Sequence, residues 1–517
     1  MSKRIRIVLM GVGGLAVLAI VAVLALQRGG QRQNAPPPPD YWPTAGWKTS
    51  TPEEQGFDSA KLAEGLLAIR DSGLPVHSVL AVINGRLVLD AYFYPYDGST
   101  VHNMRSCTKS VTTTLAAIAA DQGKLSLDQS MDSFFPDAAV TYPDPRRDAI
   151  TVRDITMMAN GLESMGFAED EGTLMQMVAS EDWLRFALDR PMATDPGTTF
   201  VYDSPGSHIL SGILQQSTGM TELEYARQVL FGPLGITDVI WPADPQGYTH
   251  GWGDMHLQPR DAAKIGLLWL QGGMWDGRQI VSRDWVEATS RTQITTGQDD
   301  TYSYGWWYSE ESNSTMAQGR GGQDIRVEPA FNAVVVMTGA GIDYDDIAPY
   351  LGSAVVDLEN PLPPNPEGFA KLEAALEEIK QAPAPQAPAP LPEIAAAISG
   401  KTYVIEPNPI GVATVRLTFV EPNEARVEAT FDNGSAPLDE LIGLDGTFHY
   451  FTDSLGLPAA GRGEWSDENT FVWERELVAG GEAYRYVIRF EGEGISIEGT
   501  ERSHSGVQSF TGTIASP

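Results

Sequence analysis

The sequence predicts an α+β protein: an antiparallel sheet flanked by helices with a large helical insertion, followed by a small all-β C-terminal domain of barrel or lipocalin-like form. Three observations predict it. The central region begins with a helix and a strand pair and ends with a strand pair and a helix, with helical segments between, so both ends complete one sheet. Two proline-rich stretches, NAPPPPDYWP and QAPAPQAPAPLPE, frame that region as stiff spacers. Beyond the second, short alternating segments lie between turn residues, the pattern of half-buried strands. The expected divisions are 1–40 for an N-terminal membrane anchor and spacer, 41–360 for the α+β domain, 361–394 for a helix and Ala/Pro-rich linker, and 395–517 for the β domain.

At the N-terminus, Lys3, Arg4 and Arg6 precede an uncharged apolar run from Ile7 to Leu26, about the 20 residues a helix needs to cross a bilayer. No clear small-x-small cleavage site follows, so the run predicts an uncleaved membrane helix with the body outside the cytoplasm. Removal as a long signal peptide would leave the body on the same side. DSAKLAEGLLAIRDSG predicts an amphipathic helix with Leu62, Leu66 and Ile69 on one face and Gly73 at its end. SVLAVINGRLVLDAYFY predicts two strands around Asn84-Gly85, a strong hairpin signal. An apolar helix follows over Val111 to Ala120. Thr151 with Asp154, and Thr221 with Glu224, each predict a capping box, and the first of these helices is expected to stop at Gly161. QDIRVEPAFNAVVVMTG predicts the second strand pair and IAPYLGSAVVDLE the closing helix. In the tail, segments such as ATVRLTFVE, EARVEATFDNG and AYRYVIRFEG are the expected strands, with no catalytic constellation among them. Few contacts normally cross proline-rich spacers, so the α+β domain is expected to fold when cut near Leu391.

Composition narrows the function. The 517 residues carry a net charge of −33, which argues against nucleic-acid binding and against an anionic membrane surface as partner. A single cysteine, Cys107, excludes an intrachain disulfide and any metal site built on cysteine clusters. That thiol is expected to face the core and to be inert. The chain has no G-x-S-x-G elbow, no H-E-x-x-H and no phosphate-binding glycine loop. Its seven histidines are scattered; His250 and His256 lie in a loop-rich stretch and read as surface or hydrogen-bonding residues rather than ligands, so no metal site is expected.

The chemistry concentrates in HNMRSCTKS. Ser106 stands at the head of a helix and Lys109 three residues later, on the same face. A first-turn lysine has the wrong sign for a helix N-terminus. Held there against apolar neighbours it is pushed toward its neutral form, a base within reach of a serine hydroxyl. Tyr202 lies between an extended segment and a helix in DPGTTFVYDSPGSHILSGIL, where a phenol beside a lysine could relay or take a proton.

The order Ser106-x-x-Lys109, Tyr202-x-Ser204, then AQGRGGQ leading into a strand, resembles the class C β-lactamase and penicillin-recognising serine hydrolase superfamily. It is most similar to the 6-aminohexanoate-dimer hydrolase-like and esterase-like branch. The resemblance runs from about Trp47 to about Leu358 and includes STPEEQGFDSAKL, LFGPLGI and RDAAKIGLLWLQGGMWDGRQIV. It implies a β-lactamase-like fold for 41–360, Ser106 as the acylated nucleophile, and Lys109 and Tyr202 sharing general base and acid duties. It also implies an oxyanion held by backbone N–H groups of Ser106 and of the GRGG segment. Arg320 is the second donor on this reading, set among Gly319, Gly321 and Gln323, with Ser204 at the substrate. The implied activity is cleavage of a small-molecule or short-peptide ester or amide, without metal or organic cofactor. Two departures set this chain apart: Ser204 stands where β-lactamases carry asparagine, and Gln318-Gly319-Arg320 where they carry Lys-Thr-Gly. His504-Ser505-Gly506 mimics that third motif but lies in the β tail and reads as coincidence. Little β-lactam turnover is therefore expected. The rival readings are a β-lactamase or D-amino-acid peptidase acting on cell-wall peptides, and a catalytically silent binding protein.

Overall fold

Asn84 and Gly85 take φ values of 51° and 75°, the pair of positive angles that a tight two-residue hairpin turn requires. They join β1 (Val76–Ile83) to β2 (Arg86–Tyr92) in the computed structural model of the chain, which describes residues 36–515 except 37, 139, 167–171, 298–299 and 504–505. The apolar run Ile7 to Leu26 and His504 lie outside the described residues. Among the described residues no helix is long and apolar enough to cross a membrane.

The hairpin forms one side of an eight-stranded sheet that the other end of the region completes. After the helical insertion come β3 (Ile294–Thr295), β4 (Thr301–Ser303), β5 (Trp306–Ser309), β6 (Ser314–Gly319), β7 (Gln323–Glu328) and β8 (Ala333–Gly339). The order is β2-β1-β8-β7-β6-β5-β4-β3, with Val79 of β1 opposite Met337 of β8. Alternation along β1 assigns the two faces. Val79 packs with Leu62 and Leu66 of α1 (Ser59–Asp71), whereas Leu80 and Val82 share a core with Leu115 and Leu268.

Leu115 belongs to α2 (Cys107–Asp121), buried from Cys107 to Ala119. A helix buried on every side must satisfy its polar groups internally. Its hydroxyls do so on carbonyls: Thr108 donates to Arg105 at 2.6 Å, Ser110 to Gly305 at 2.6 Å and Thr112 to Gly251 at 2.9 Å. Both predicted capping boxes form, on α3 (Val152–Thr156) and, beyond α4 (Trp183–Leu188) and α5 (Ser204–Thr218), on α6 (Glu222–Ala226). Helix α3 stops short of Gly161 because Met158 turns to φ 55° and its carbonyl accepts from Val201 N at 2.9 Å, which seats the Tyr202 segment. Leu268 belongs to α7 (Pro259–Leu270). The closing helix, α8 (Tyr344–Gly352), begins earlier than its apolar residues suggest, on the Asp343/Asp346 capping box.

The tail is a closed barrel. Nine strands from β9 (Thr402–Ile405) onward, among them β10 (Glu424–Phe431), β11 (Leu438–Gly443), β12 (Pro458–Trp465), β13 (Thr470–Leu477) and β14 (Glu482–Glu491), complete the ring through a parallel bridge from Gly443 of β11 to Arg462 of β12. The expectation of few contacts across the spacer is not met. Val478 and Ala460 enter the core of the α+β domain. Glu476 of β13, buried, lies 3.0 Å from His77 of β1, and Tyr94 Oη accepts from Phe448 N at 2.7 Å. Proline content sets the stiffness of the spacer, not what the tail lies against.

Candidate active site

Ser106 is the residue before the first turn of α2, and Lys109 is 2% exposed in that turn. The Lys109 amine lies 3.0 Å from Ser106 Oγ and donates to the Trp252 carbonyl at 2.6 Å. It stands 4.8 Å from the centroid of the Tyr202 ring. Tyr202 is itself buried and stacks on Trp307 with a 20° interplanar angle. The structure thus brings together all three residues that the sequence singled out, from α2 and from the segment ahead of α5.

Each is held by neighbours that the sequence did not announce. Asp203, next to Tyr202, is buried and takes both arms of Arg190, Nη1 to Oδ1 at 2.7 Å and Nη2 to Oδ2 at 2.9 Å, and Asn160 adds a third bond at 2.7 Å. A bidentate guanidinium fixes a carboxylate in direction as well as distance, so the Tyr202-Asp203-Ser204 turn has one orientation. Ser204 Oγ is buried and meets no hydrogen-bond partner among the described residues. Trp252 sits in a loop clamped at its far end by Asp254, which accepts from His250 Nδ1 at 3.1 Å and Asn103 Nδ2 at 3.2 Å. Burial opposes that charge, but the His250 bond and the Arg105 cation outweigh it and hold the Asp254 carboxyl at about 2. His250 and His256 are both buried, so neither is a surface residue; His256 Nδ1 lies 2.8 Å from the Asp254 carbonyl.

The third segment closes on Ser106 from β6. A Cβ on Gly319 would meet Met104 O at 2.5 Å and Ser106 N at 3.0 Å. Only glycine lets the end of β6 pass that close to the Ser106 amide. Arg320 follows in the β6–β7 turn, not along a strand, and its guanidinium reaches Glu482 of the barrel at 3.3 Å. Its side chain is thereby turned to the barrel. Gly321, at φ 85°, lies against Gly481 and Gly339. Cys107 faces the sheet, donating to the Ala317 carbonyl at 3.2 Å, and burial followed by the nearby Asp324 charge pushes its thiol well up. It is inert as a nucleophile at neutral pH.

A serine hydroxyl with an amine 3.0 Å away, an aromatic ring beside that amine and a glycine backbone packed against the serine's own amide is an arrangement suited to acyl transfer. Residues 59–378 match the β-lactamase family. The 6-aminohexanoate-dimer hydrolase of Paenarthrobacter ureafaciens is 25% identical over 291 residues, covering 51% of this chain and 72% of that protein. The lovastatin esterase of Penicillium rubens is 26% identical over 212 residues, covering 36% of this chain, and the chain spans 51% of its length. The solved structure of simvastatin synthase from Aspergillus terreus aligns over 58% of this chain and 98% of its own, with 15% identity and a TM-score of 0.46.

Proposed function

We propose, for a chain that belongs to the β-lactamase family and is a serine hydrolase of esterase or amidase type, that it cleaves an ester or amide bond through an acyl-enzyme on Ser106. One observation carries the reading: the buried Lys109 amine is 3.0 Å from Ser106 Oγ and fixed from behind by the Trp252 carbonyl. In its neutral form Lys109 takes the hydroxyl proton as Oγ attacks the carbonyl carbon of the substrate. The carbonyl oxygen becomes an oxyanion and is met by the backbone N–H groups of Ser106 and Arg320. The proton returns, with Tyr202 as relay beside Lys109, to the departing alkoxide or amine as its bond to carbon breaks. Water repeats the sequence with the same base, releasing the acid and restoring Ser106 Oγ–H. Ser204 is assigned to the substrate by the family resemblance of the Tyr202-x-Ser204 motif. The charged N-terminal sequence ahead of Ile7 to Leu26 supports catalysis outside the cytoplasm.

A β-lactamase or D-amino-acid peptidase would use the same serine; the Gln318-Gly319-Arg320 sequence and the turned Arg320 side chain favour ester or linear amide substrates. A silent binding protein would have no use for three catalytic side chains held this closely. The test is covalent labelling of the full chain by a fluorophosphonate probe, with turnover of short p-nitrophenyl esters and of nitrocefin measured beside it. Labelling is expected on Ser106 and absent in Ser106→Ala, with ester turnover well above nitrocefin turnover. Labelling that persists in Ser106→Ala on another serine would overturn the assignment.

A further inference from the structure

We propose that Glu482, contributed by the barrel, is a positioning residue for the oxyanion site of the catalytic domain; the proposal rests on the reading of the Ser106 and Arg320 amides as that site's donors. Glu482 Oε1 lies 2.7 Å from Arg105 Nη2 and 3.3 Å from Arg320 Nη2. Arg105 is the residue before Ser106, and Arg320 carries the second amide. One carboxylate oxygen therefore ties together the two residues whose backbone spacing sets the distance between the donors.

The surroundings make this tie directional. Arg105 has φ 50°, an angle that non-glycine residues take only where neighbours enforce it. Its amide donates to Asn103 Oδ1 at 2.8 Å and its guanidinium also donates to the Gly480 carbonyl at 2.6 Å. Glu482 Oε2 accepts from Tyr484 Oη at 2.9 Å, so its second oxygen is fixed as well. Gln323 donates to the Arg320 carbonyl at 3.0 Å and to the Gly339 carbonyl at 2.9 Å. The barrel turn at Gly481 packs on that same amide, where a Cβ would meet Gln323 Nε2 at 3.0 Å. The turn from Val478 to Glu482 thus grips the head of α2 and the β6–β7 turn at once. Partly buried ion pairs of this kind add little net stability against their desolvation, but they select one geometry.

Glu482 meets Arg105, Arg320 and Tyr484, and its effect on the site passes through the two arginines. Oxyanion contacts strengthen in the transition state, so loosening the donors lowers kcat and leaves KM nearly unchanged. In the full chain, Glu482→Ala is expected to lower kcat for a p-nitrophenyl ester by about 10- to 100-fold, less than the ~100- to 1,000-fold for loss of a whole donor. KM should stay within about twofold, and fluorophosphonate labelling of Ser106 should slow in proportion. Glu482→Gln keeps the acceptor oxygen and the shape without the charge, and is expected to fall between wild type and Glu482→Ala. A folded Glu482→Ala with unchanged kcat and labelling rate, or with KM alone altered, overturns the proposal. If Glu482→Ala does not fold, Glu482→Gln carries the same test, and an unchanged kcat there overturns it too. Absence of Ser106 labelling in the wild-type chain would instead refute the functional reading on which the proposal rests.

Discussion

Glu222 opens α6 with a fully buried side chain, and among the described residues only the hydroxyls of Thr112 and Ser211 approach its carboxyl oxygens as donors. The hydroxyls of Thr112 and Ser211 lie beside it, but each already donates to a carbonyl, Thr112 to Gly251 at 2.9 Å and Ser211 to Thr249 at 2.7 Å. An ionised carboxylate there finds no uncommitted donor, whereas a protonated one can donate to a hydroxyl oxygen. Burial pushes the carboxyl up from 4.5 to about 7, and the two hydroxyls draw it back only in part. The sign follows from proton counting. Below the unfolded value both states hold the proton; between 4.5 and about 7 the unfolded chain has released it and the folded chain has not. Stability therefore falls as pH rises through that window and levels off above it. At ~1.36 kcal/mol per pH unit the loss comes to about 3 kcal/mol.

Glu222→Gln keeps the shape and removes the titration. Thermal unfolding of the two chains at pH 5 and pH 8 should show the variant gaining about 2–3 kcal/mol on the wild type across that interval. At about 2 °C per kcal/mol for a large cooperative unit, that is a relative Tm shift of roughly 5 °C. A Tm difference independent of pH would mean that Glu222 is ionised at neutral pH and that Thr112 and Ser211 turn their protons toward it. The same titration bears on the active site, because the Gly251 carbonyl that Thr112 holds is one residue from the carbonyl that holds Lys109.

Lys109→Ala and Tyr202→Phe should each slow acylation by about 10²–10⁴-fold, the range of general acid–base groups, and the double variant should lose less than the product because the two share one proton path; multiplicative losses in stopped-flow acylation would separate them. Gly319→Ala places a methyl 2.5 Å from Met104 O and must part β6 from the head of α2, so kcat should fall by about 10²-fold, as a misplacement of about 1 Å costs; wild-type kcat in that variant would show that β6 does not set the donor spacing. A chain ending near Leu391 leaves the partly buried Arg105 and the buried His77 without Glu482 and Glu476, so it should be insoluble or inactive on a small ester; a soluble, fully active fragment would show the barrel to be dispensable.

Local signals were legible in the sequence and long-range ones were not. Asn84-Gly85, the capping boxes at Thr151 and Thr221, and the alternating tail declare themselves within a few residues. The strands β3 to β5 are two to four residues long, too short for a period-2 pattern to stand out. In the site, Ser106 and Lys109 were visible as a helical pair because three residues is one turn. Tyr202 acquired a role only by being paired with that helix, because a tyrosine in a turn-like segment carries no mark of its own. The Trp252 carbonyl has no side-chain signature at all. Arg190, Asn160, Glu476 and Glu482 act on partners far along the chain, and a lone arginine or glutamate carries no mark of such a partner.

The charge arrangement around the nucleophile bears on which acyl groups suit the site. Arg105 and Arg320 are the cations beside the proposed oxyanion donors, and both face Glu482. Asp254 stands 4.0 Å from the other arm of Arg105. Two guanidiniums and two carboxylates sum to zero, so this end of the cleft has a fixed dipole pattern but no net charge. Burial works against the Arg105 charge, and the neighbouring Glu482 and Asp254 keep it in place. A substrate carboxylate arriving here would have to compete with Glu482 for guanidinium arms that are already oriented, against the field of a chain whose net charge is −33. A neutral carbonyl needs only the backbone amides. The carboxylate that holds those amides in place is thus also the group that withholds the arginine charge from anionic substrates, and it comes from the barrel.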